Sequence, residues 1–362
     1  MTSGAFPFEA NPNPVDAADR AARLVDPGFG RVFTDHMVTI RYSDAKGWHD
    51  AKVGPRAPLT LDPATAVLHY AQEIFEGLKA YRLADGSMAL FRPEQNARRF
   101  QRSAKRLAMP ELPEDMFLQA CKQLVQVDKD WFPPVDGGSI YLRPFMIASE
   151  VFLGVKPSAE YLFMVIASSA GNYFKSGAPA ISIWVSEQYT RAARGGTGAA
   201  KCGGNYAASL VAQSEAIREG CDQVVFLDAA EHRWVEELGG MNLFFLFDDG
   251  SLLTPPTDGT ILEGITRDSV LTLARAQGLT VREERYAMDQ WRADAESGRL
   301  VEVFGCGTAA VVTPVGTVKS TQGAFTIGAG GAGQMTQQIR TKLVDIQRGA
   351  AADTHGWVQR ID

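Results

Sequence analysis

The stretch Ala199-Ala200-Lys201-Cys202-Gly203-Gly204-Asn205-Tyr206-Ala207-Ala208-Ser209 sets one lysine among small residues. Where glycines follow a lysine so closely, backbone can approach a flat ligand. A lysine in such a place loses its proton when desolvated and becomes a Schiff-base nucleophile. With the residues before it, Gly195-Gly196-Thr197-Gly198-Ala199-Ala200-Lys201-Cys202 resembles a phosphate-binding P-loop at a glance. That motif requires glycine before the lysine and serine or threonine after it. Ala200 and Cys202 stand there, so both requirements fail.

Working outward, ISIWVSE (181–187) precedes the lysine as a strand, and a helix from about Tyr206 to Gly220 follows it. QVVFLD (223–228) and NLFFLF (242–247) read as strands, the second turned back at Asp248-Asp249-Gly250. A helix starts near Thr266 and stops at Gly278, the strand LVEVFG (300–305) precedes Cys306, and a last helix covers about Gln334 to Arg348. Toward the N-terminus, Lys79 to Arg92 reads as a hairpin turning at Ala84-Asp85-Gly86. Pro93 opens a helix with Phe100, Ala104 and Leu107 on its apolar face, and Pro113 opens another running through Val127. SIYLRPFMIAS (139–149) and YLFMVIAS (161–168) are strands, and SAGNYFKSGAP (169–179) has linker composition. The expectation is an α/β (α+β) protein of two domains. They are residues 1–170, joined by a linker at 171–180 to residues 181–362, which carry Lys201. Asn11-Pro12-Asn13-Pro14 reads as a loose arm.

The composition narrows the chemistry. The chain has 362 residues with net charge −6, 45% hydrophobic and 22% charged residues, as in ordinary globular proteins. An acidic balance argues against a nucleic-acid partner. Five histidines and four cysteines show no zinc-site spacing and no CxxC, so no metal centre is expected. No apolar run has the length of a membrane span, and Met1 to Asn13 does not have the form of a signal peptide. The cysteines read as reduced and the protein as cytoplasmic. Gly328-Ala329-Gly330-Gly331-Ala332-Gly333 matches GxGxxG by letters, but too little chain follows to complete a dinucleotide fold. It reads as a flexible loop entering the last helix.

Other residues give the lysine weight. Arg99, on the cationic helix Asn96–Arg106, suits a phosphate. Gly264-Ile265-Thr266-Arg267 opens a helix, where free N–H groups and the dipole favour an anion; Thr266 also reads as a plain N-cap. Glu236-Glu237 places paired carboxylates between two strands, and Cys306-Gly307-Thr308-Ala309 follows a strand and offers exposed amides. A Schiff-base lysine, a phosphate cup and a carboxylate are the set a pyridoxal phosphate enzyme requires.

The segments YAQEIFEGLKAY (70–81), FRPEQNARRFQRSAKRL (91–107), SIYLRPFMIASEVFLGV (139–155), AKCGGNYAAS (200–209), EELGGMN (236–242), LEGITR (262–267) and FGCGTAAVVTPVG (304–316) together resemble the branched-chain amino acid aminotransferases of the larger bacterial and animal type. The likeness runs from about Phe29 to the last helix. It implies pyridoxal-phosphate fold type IV, a homodimer, and a cofactor between the two domains. The implied reaction moves the amino group of leucine, isoleucine or valine to 2-oxoglutarate, ping-pong through pyridoxamine phosphate.

By that resemblance Lys201 is the Schiff-base lysine and the acid/base, Glu237 pairs with the pyridine nitrogen, and Tyr206 bonds the phenolate oxygen. Glu236 is expected to be a solvated neighbour. Arg99 and the amides of Ile265 and Thr266 hold the phosphate, with Arg191 and Cys306 nearby. Thr308 and Ala309 amides take the substrate α-carboxylate beside Gly240. Phe29, Phe75, Tyr141 and Tyr173 wall the apolar pocket, Tyr70, Leu153 and Val155 come from the partner subunit, and Arg143 takes the distal carboxylate. The redox CxxC of some animal relatives is absent, Ala310-Val311-Val312-Thr313 standing there. A D-amino acid aminotransferase or aminodeoxychorismate lyase of the same fold type is the competing reading; EVFLGV and EGLKAY favour the branched-chain enzyme.

Overall fold

The structure is a computed structural model, and it describes residues 4–135, 137–171 and 180–361. In chain order its elements begin with α1 (Ala17–Leu24), β1 (Val32–Ser43), β2 (Gly47–Pro55), α2 (Val67–Tyr70), β3 (Glu73–Phe75), β4 (Leu78–Arg82) and β5 (Met88–Phe91). Next come α3 (Pro93–Arg106), α4 (Glu114–Val127), β6 (Ser139–Ala148), β7 (Glu160–Ala170), β8 (Ile181–Ser186) and α5 (Gly203–Arg218). Then follow β9 (Gln223–Leu227), β10 (Val235–Leu238), β11 (Asn242–Phe247), β12 (Ser251–Thr254), α6 (Ile265–Ala276), β13 (Thr280–Glu283) and α7 (Met288–Glu296). The last are β14 (Leu300–Gly307), β15 (Val311–Ser320), β16 (Gly323–Thr326), α8 (Gln334–Gln347) and β17 (Val358–Ile361).

These form two compact units, one of Met1–Lys175, Ala200–Gly203 and Ile346–Asp362, the other of Ser176–Ala199 and Gly204–Asp345. This departs from the expected division in two places. The C-terminal strand β17 pairs with β5, so the chain end returns to the first unit. The lysine segment also falls there, because the Phe75 N–H donates to the Lys201 carbonyl at 2.9 Å and the Lys201 N–H to Ser103 Oγ at 2.9 Å. Residues 172–179 of the expected linker, Tyr173 among them, lie outside the described residues.

The first unit is built on an eight-stranded sheet ordered β17-β5-β4-β6-β7-β1-β2, with β3 on β6, every pairing antiparallel. Helices α3 and α4 supply its core. Pro93 sits in the first turn of α3, where a missing N–H costs nothing. Ala97, Phe100 and Ala104 fall at helical spacing and are buried. The Phe100, Phe117 and Phe163 rings meet with centroids 5.5 to 6.1 Å apart.

The second unit is a nine-stranded mixed sheet ordered β10-β9-β8-β15-β14-β11-β12-β13, with β16 on β15. An additional pairing of β10 with β11 joins β10, β9, β8, β15, β14 and β11 into a closed ring. Every residue of β11 is buried, and Phe244 stacks on its cross-strand partner Phe304 at 5.1 Å. The helix after the GxGxxG letters is α8. Its Met335 and Thr336 N–H groups donate to the Glu302 carboxylate at 3.0 and 2.8 Å. That carboxylate occupies the place an anionic ligand would need.

Candidate active site

In the first unit, β3 and α3 grip the segment carrying Lys201. Ala200 and Cys202 are buried in the hydrophobic core, the Lys201 backbone is bonded on both sides, and the Gly203 N–H donates to Glu73. The Lys201 ammonium lies 4.8 Å from the centre of the Phe75 ring. Arg143 stacks over the same ring at 4.8 Å and over Tyr141 at 5.5 Å, and its Nη2 donates to the Tyr141 hydroxyl at 3.3 Å. Phe29 packs edge-on against Tyr141 at 4.9 Å. Five residues singled out in the sequence, Phe29, Phe75, Tyr141, Arg143 and Lys201, therefore form one chain of contacts. Gly77 permits it, since a Cβ there would collide with the Tyr141 hydroxyl. Tyr70, Leu153 and Val155 form a second, exposed group, tied by the Tyr70 hydroxyl donating to the Leu153 carbonyl at 2.5 Å.

Arg99 is on α3, yet it is buried rather than on the helix's solvated cationic side. Its Nε and Nη2 donate to the two oxygens of Glu76 at 2.7 and 2.8 Å. Glu76 is not among the residues singled out in the sequence, because only its pairing with Arg99 gives it a role. Burial pushes the Glu73 carboxyl up, against the Gly203 N–H and the Arg143 charge.

In the second unit, Glu236 and Glu237 lie within β10 rather than between strands. Glu237 is paired in register with Asn242 on β11, and Asn242 with Cys306 on β14. Glu237 is 3% exposed. Its Oε1 accepts from Arg191 Nη2 at 2.5 Å and from the Leu262 N–H at 3.0 Å. Arg191 also donates to the carbonyls of Gly198 and Thr260 at 3.0 and 2.6 Å, so it is a buried support rather than a surface arginine. Glu236 is buried too, because the whole of β10 is, and this corrects the expectation of a solvated neighbour. Burial pushes its carboxyl up, against Thr260 and Arg191.

Leu262 leads into α6. Its carbonyl accepts from Asn242 Nδ2 at 3.0 Å. Gly264, not Thr266, is the N-cap, and it brings no side chain to the first-turn amides of Ile265 and Thr266. A Cβ at Gly264 would collide with Asn242 Oδ1. Tyr206 lies on α5, with its ring 4.0 Å from where a Gly240 Cβ would be. Cys306 and Gly307 are the end of β14 rather than residues after it; Thr308 and Ala309 follow in the turn to β15. Burial pushes the Cys306 thiol up to about 12, with Glu237 adding to it, so it stays a neutral thiol near pH 7.

Residues 73–318 match the amino-transferase class IV family. The chain belongs to that family. Within it, the chain is 58% identical to the probable branched-chain-amino-acid aminotransferase of Streptomyces coelicolor over 362 residues, covering 100% of both. It is 56% identical to the branched-chain-amino-acid aminotransferase of Mycolicibacterium smegmatis, again covering 100% of both. Among solved structures it is similar to the branched-chain amino acid aminotransferase from Escherichia coli, with TM-score 0.73 and 30% identity over 91% of this chain and 99% of that one. The branched-chain amino acid aminotransferase from Thermobaculum terrenum in its PLP-form gives TM-score 0.71 and 26% identity over 89% of this chain and 98% of that one. This class IV aminotransferase thus has the type IV fold that the resemblance implied.

Proposed function

We propose that the protein is a pyridoxal-phosphate-dependent branched-chain-amino-acid aminotransferase. It transfers the amino group of L-leucine, L-isoleucine or L-valine to 2-oxoglutarate, giving the branched-chain 2-oxo acids and L-glutamate. The observation that carries the reading is the run Phe29, Tyr141, Arg143, Phe75, Lys201. Aromatic walls beside the lysine suit a branched aliphatic side chain, and one guanidinium among them suits the second carboxylate of 2-oxoglutarate or glutamate. The names of the full-length relatives support the same reading.

The donor set fits the cofactor. Two groups suit its phosphate: the buried Arg99 guanidinium, and the first-turn amides of α6 beside a glycine whose Cβ would collide with Asn242. Bound pyridoxal phosphate supplies an electron sink for the carbanion formed at the amino acid Cα. Lys201 would hold the cofactor and would move the proton to and from that Cα. Glu237 would hold a proton on the pyridine nitrogen, and Arg191 pairs with its carboxylate. Tyr206 would hydrogen-bond the phenolate oxygen, and the amides of Thr308 and Ala309 beside Gly240 would take the substrate α-carboxylate. Cys306 would stand near the phosphate as a neutral thiol.

The reading includes a cytoplasmic homodimer, in which Tyr70, Leu153 and Val155 complete the partner's apolar pocket; their exposure, 87% for Val155, supports it. Among the described residues no helix is long and apolar enough to cross a membrane. Purified protein given pyridoxal phosphate, L-leucine and 2-oxoglutarate is expected to form L-glutamate. Lys201→Ala is expected to fold but to lose both turnover and the visible absorbance of lysine-bound cofactor. Turnover of D-alanine in place of L-leucine would overturn the substrate class.

A further inference from the structure

Glu76 lies between β3 and β4 with no exposed surface at all. Both of its oxygens are engaged. Arg99 Nε reaches Oε1 at 2.7 Å, while Oε2 accepts from Arg99 Nη2 at 2.8 Å, Asn96 Nδ2 at 2.7 Å and the Gly77 N–H at 3.2 Å. Asn96, Arg99 and Ser103 recur at helical spacing on α3, so they share one face of it. Two of them bind Glu76 and the third binds the Lys201 backbone. One helix face thus holds both the buried carboxylate and the lysine segment, and Phe75, next to Glu76 in the chain, bonds the Lys201 carbonyl and lies against its ammonium.

We propose that Glu76 is a positioning residue for the aminotransferase reaction: it orients the Arg99 fork for the cofactor phosphate and lends a fixed negative charge to Lys201. The proposal rests on the reading that Arg99 and Lys201 serve pyridoxal phosphate. The fork occupies the Nε and Nη2 edge of the guanidinium, which leaves its rotation defined, as a bidentate pair does and a single contact does not. Burial would push the carboxyl up, but the Arg99 charge and bond, then Lys201 and Asn96, outweigh it and hold it below its usual range. The charged and titratable groups facing Glu76 are Arg99 from α3, Lys201 from its short segment, and Cys121 from α4. Burial and then Glu76 raise the Cys121 thiol, so it stays neutral and adds no charge of its own.

The test compares Glu76→Gln and Glu76→Asp as holoenzymes, by cofactor dissociation constant and by the pH titration of the visible band of lysine-bound cofactor. Glu76→Gln is expected to weaken cofactor binding roughly tenfold or more, the scale of losing a group that orients a ligating residue. It should also lower the titration midpoint by roughly 1 pH unit, because an adjacent anion favours the protonated nitrogen. Glu76→Asp keeps the charge but shortens the reach, so binding should weaken while the midpoint stays. A Glu76→Gln midpoint equal to wild type overturns the proposal whatever happens to the melting temperature. Should that variant not fold, Asn96→Ala, which frees one bond to Glu76 and keeps both charges, must weaken cofactor binding and leave the midpoint at its wild-type value; unchanged binding overturns the proposal. Wild-type protein that takes up no pyridoxal phosphate would instead refute the function proposed above. An unmoved Glu76→Gln midpoint, where the wild type binds the cofactor, would refute only the role of Glu76.

Discussion

Each unit of the molecule buries an arginine–glutamate pair, and the two are built in opposite senses. In the first, Arg99 meets both oxygens of Glu76, and Asn96 helps to hold the carboxylate. In the second, Arg191 meets one oxygen of Glu237 and spends other bonds on the carbonyls of Gly198 and Thr260. In the proposed function the first pair offers its cation to the cofactor, with the anion as support, and the second offers its anion, with the cation as support. Burying a charge without its partner is costly, so each functional charge arrives with its counter-charge. Asn96 and Gly77 also bond Glu76, and the carbonyls of Gly198 and Thr260 also bond Arg191.

The comparison breaks most sharply at Glu237. Glu237→Gln keeps an acceptor oxygen for the Leu262 N–H and Arg191 but removes the charge proposed to hold a proton on the pyridine nitrogen. Steady-state kinetics should show turnover falling about a hundredfold or more, the scale of losing one preorganised electrostatic contact, while cofactor remains bound. Wild-type turnover in that variant would mean that the second pair is merely structural.

A smaller effect is expected at Gly264→Ala. The new Cβ must displace the Asn242 amide that holds the Leu262 carbonyl, and with Leu262 goes an N–H donor to Glu237. Cofactor affinity, measured by equilibrium dialysis, should drop roughly tenfold as the α6 amides shift. An unchanged dissociation constant would detach α6 from the phosphate.

The smallest effect belongs to Glu236→Gln, beside the working carboxylate. Its turnover should stay within roughly threefold of wild type, since Glu236 carries no charge to the ring. Because folding raises this carboxyl above its usual 4.5, ionising it costs stability as pH rises through and beyond that value. Thermal melts should therefore place Glu236→Gln at or above wild type at pH 8, with the difference vanishing below about pH 4.5. A Glu236→Gln variant slower than Glu237→Gln would move the catalytic assignment by one residue.

These pairs also mark how far the sequence could be read. Periodic segments were legible: NLFFLF is β11 at its expected bounds, and α3 begins at the proline that announced it. The hairpin of β1 and β2 was not, because residues such as Asp35, His36, His49 and Asp50 interrupt its apolar pattern. Nor was β17, a four-residue strand whose partner β5 is far back along the chain. At the site, Lys201, Glu237 and Arg99 could be named from local composition and family resemblance. Glu76 could not, since its meaning depends on Arg99, 23 residues later.

The sequence by itself determined the inventory: one lysine among small residues, a glycine-opened helix, aromatic residues, and few histidines or cysteines, so that a bound cofactor has to do the chemistry. Side-chain type and spacing set those features locally, and they survive any packing. Only the tertiary structure decided that the lysine segment belongs with β3 and α3, that Glu236 is buried, and that Glu76 and Arg191 stand behind Arg99 and Glu237. Burial and charge pairing are sums over residues distant in sequence, and no local pattern records them.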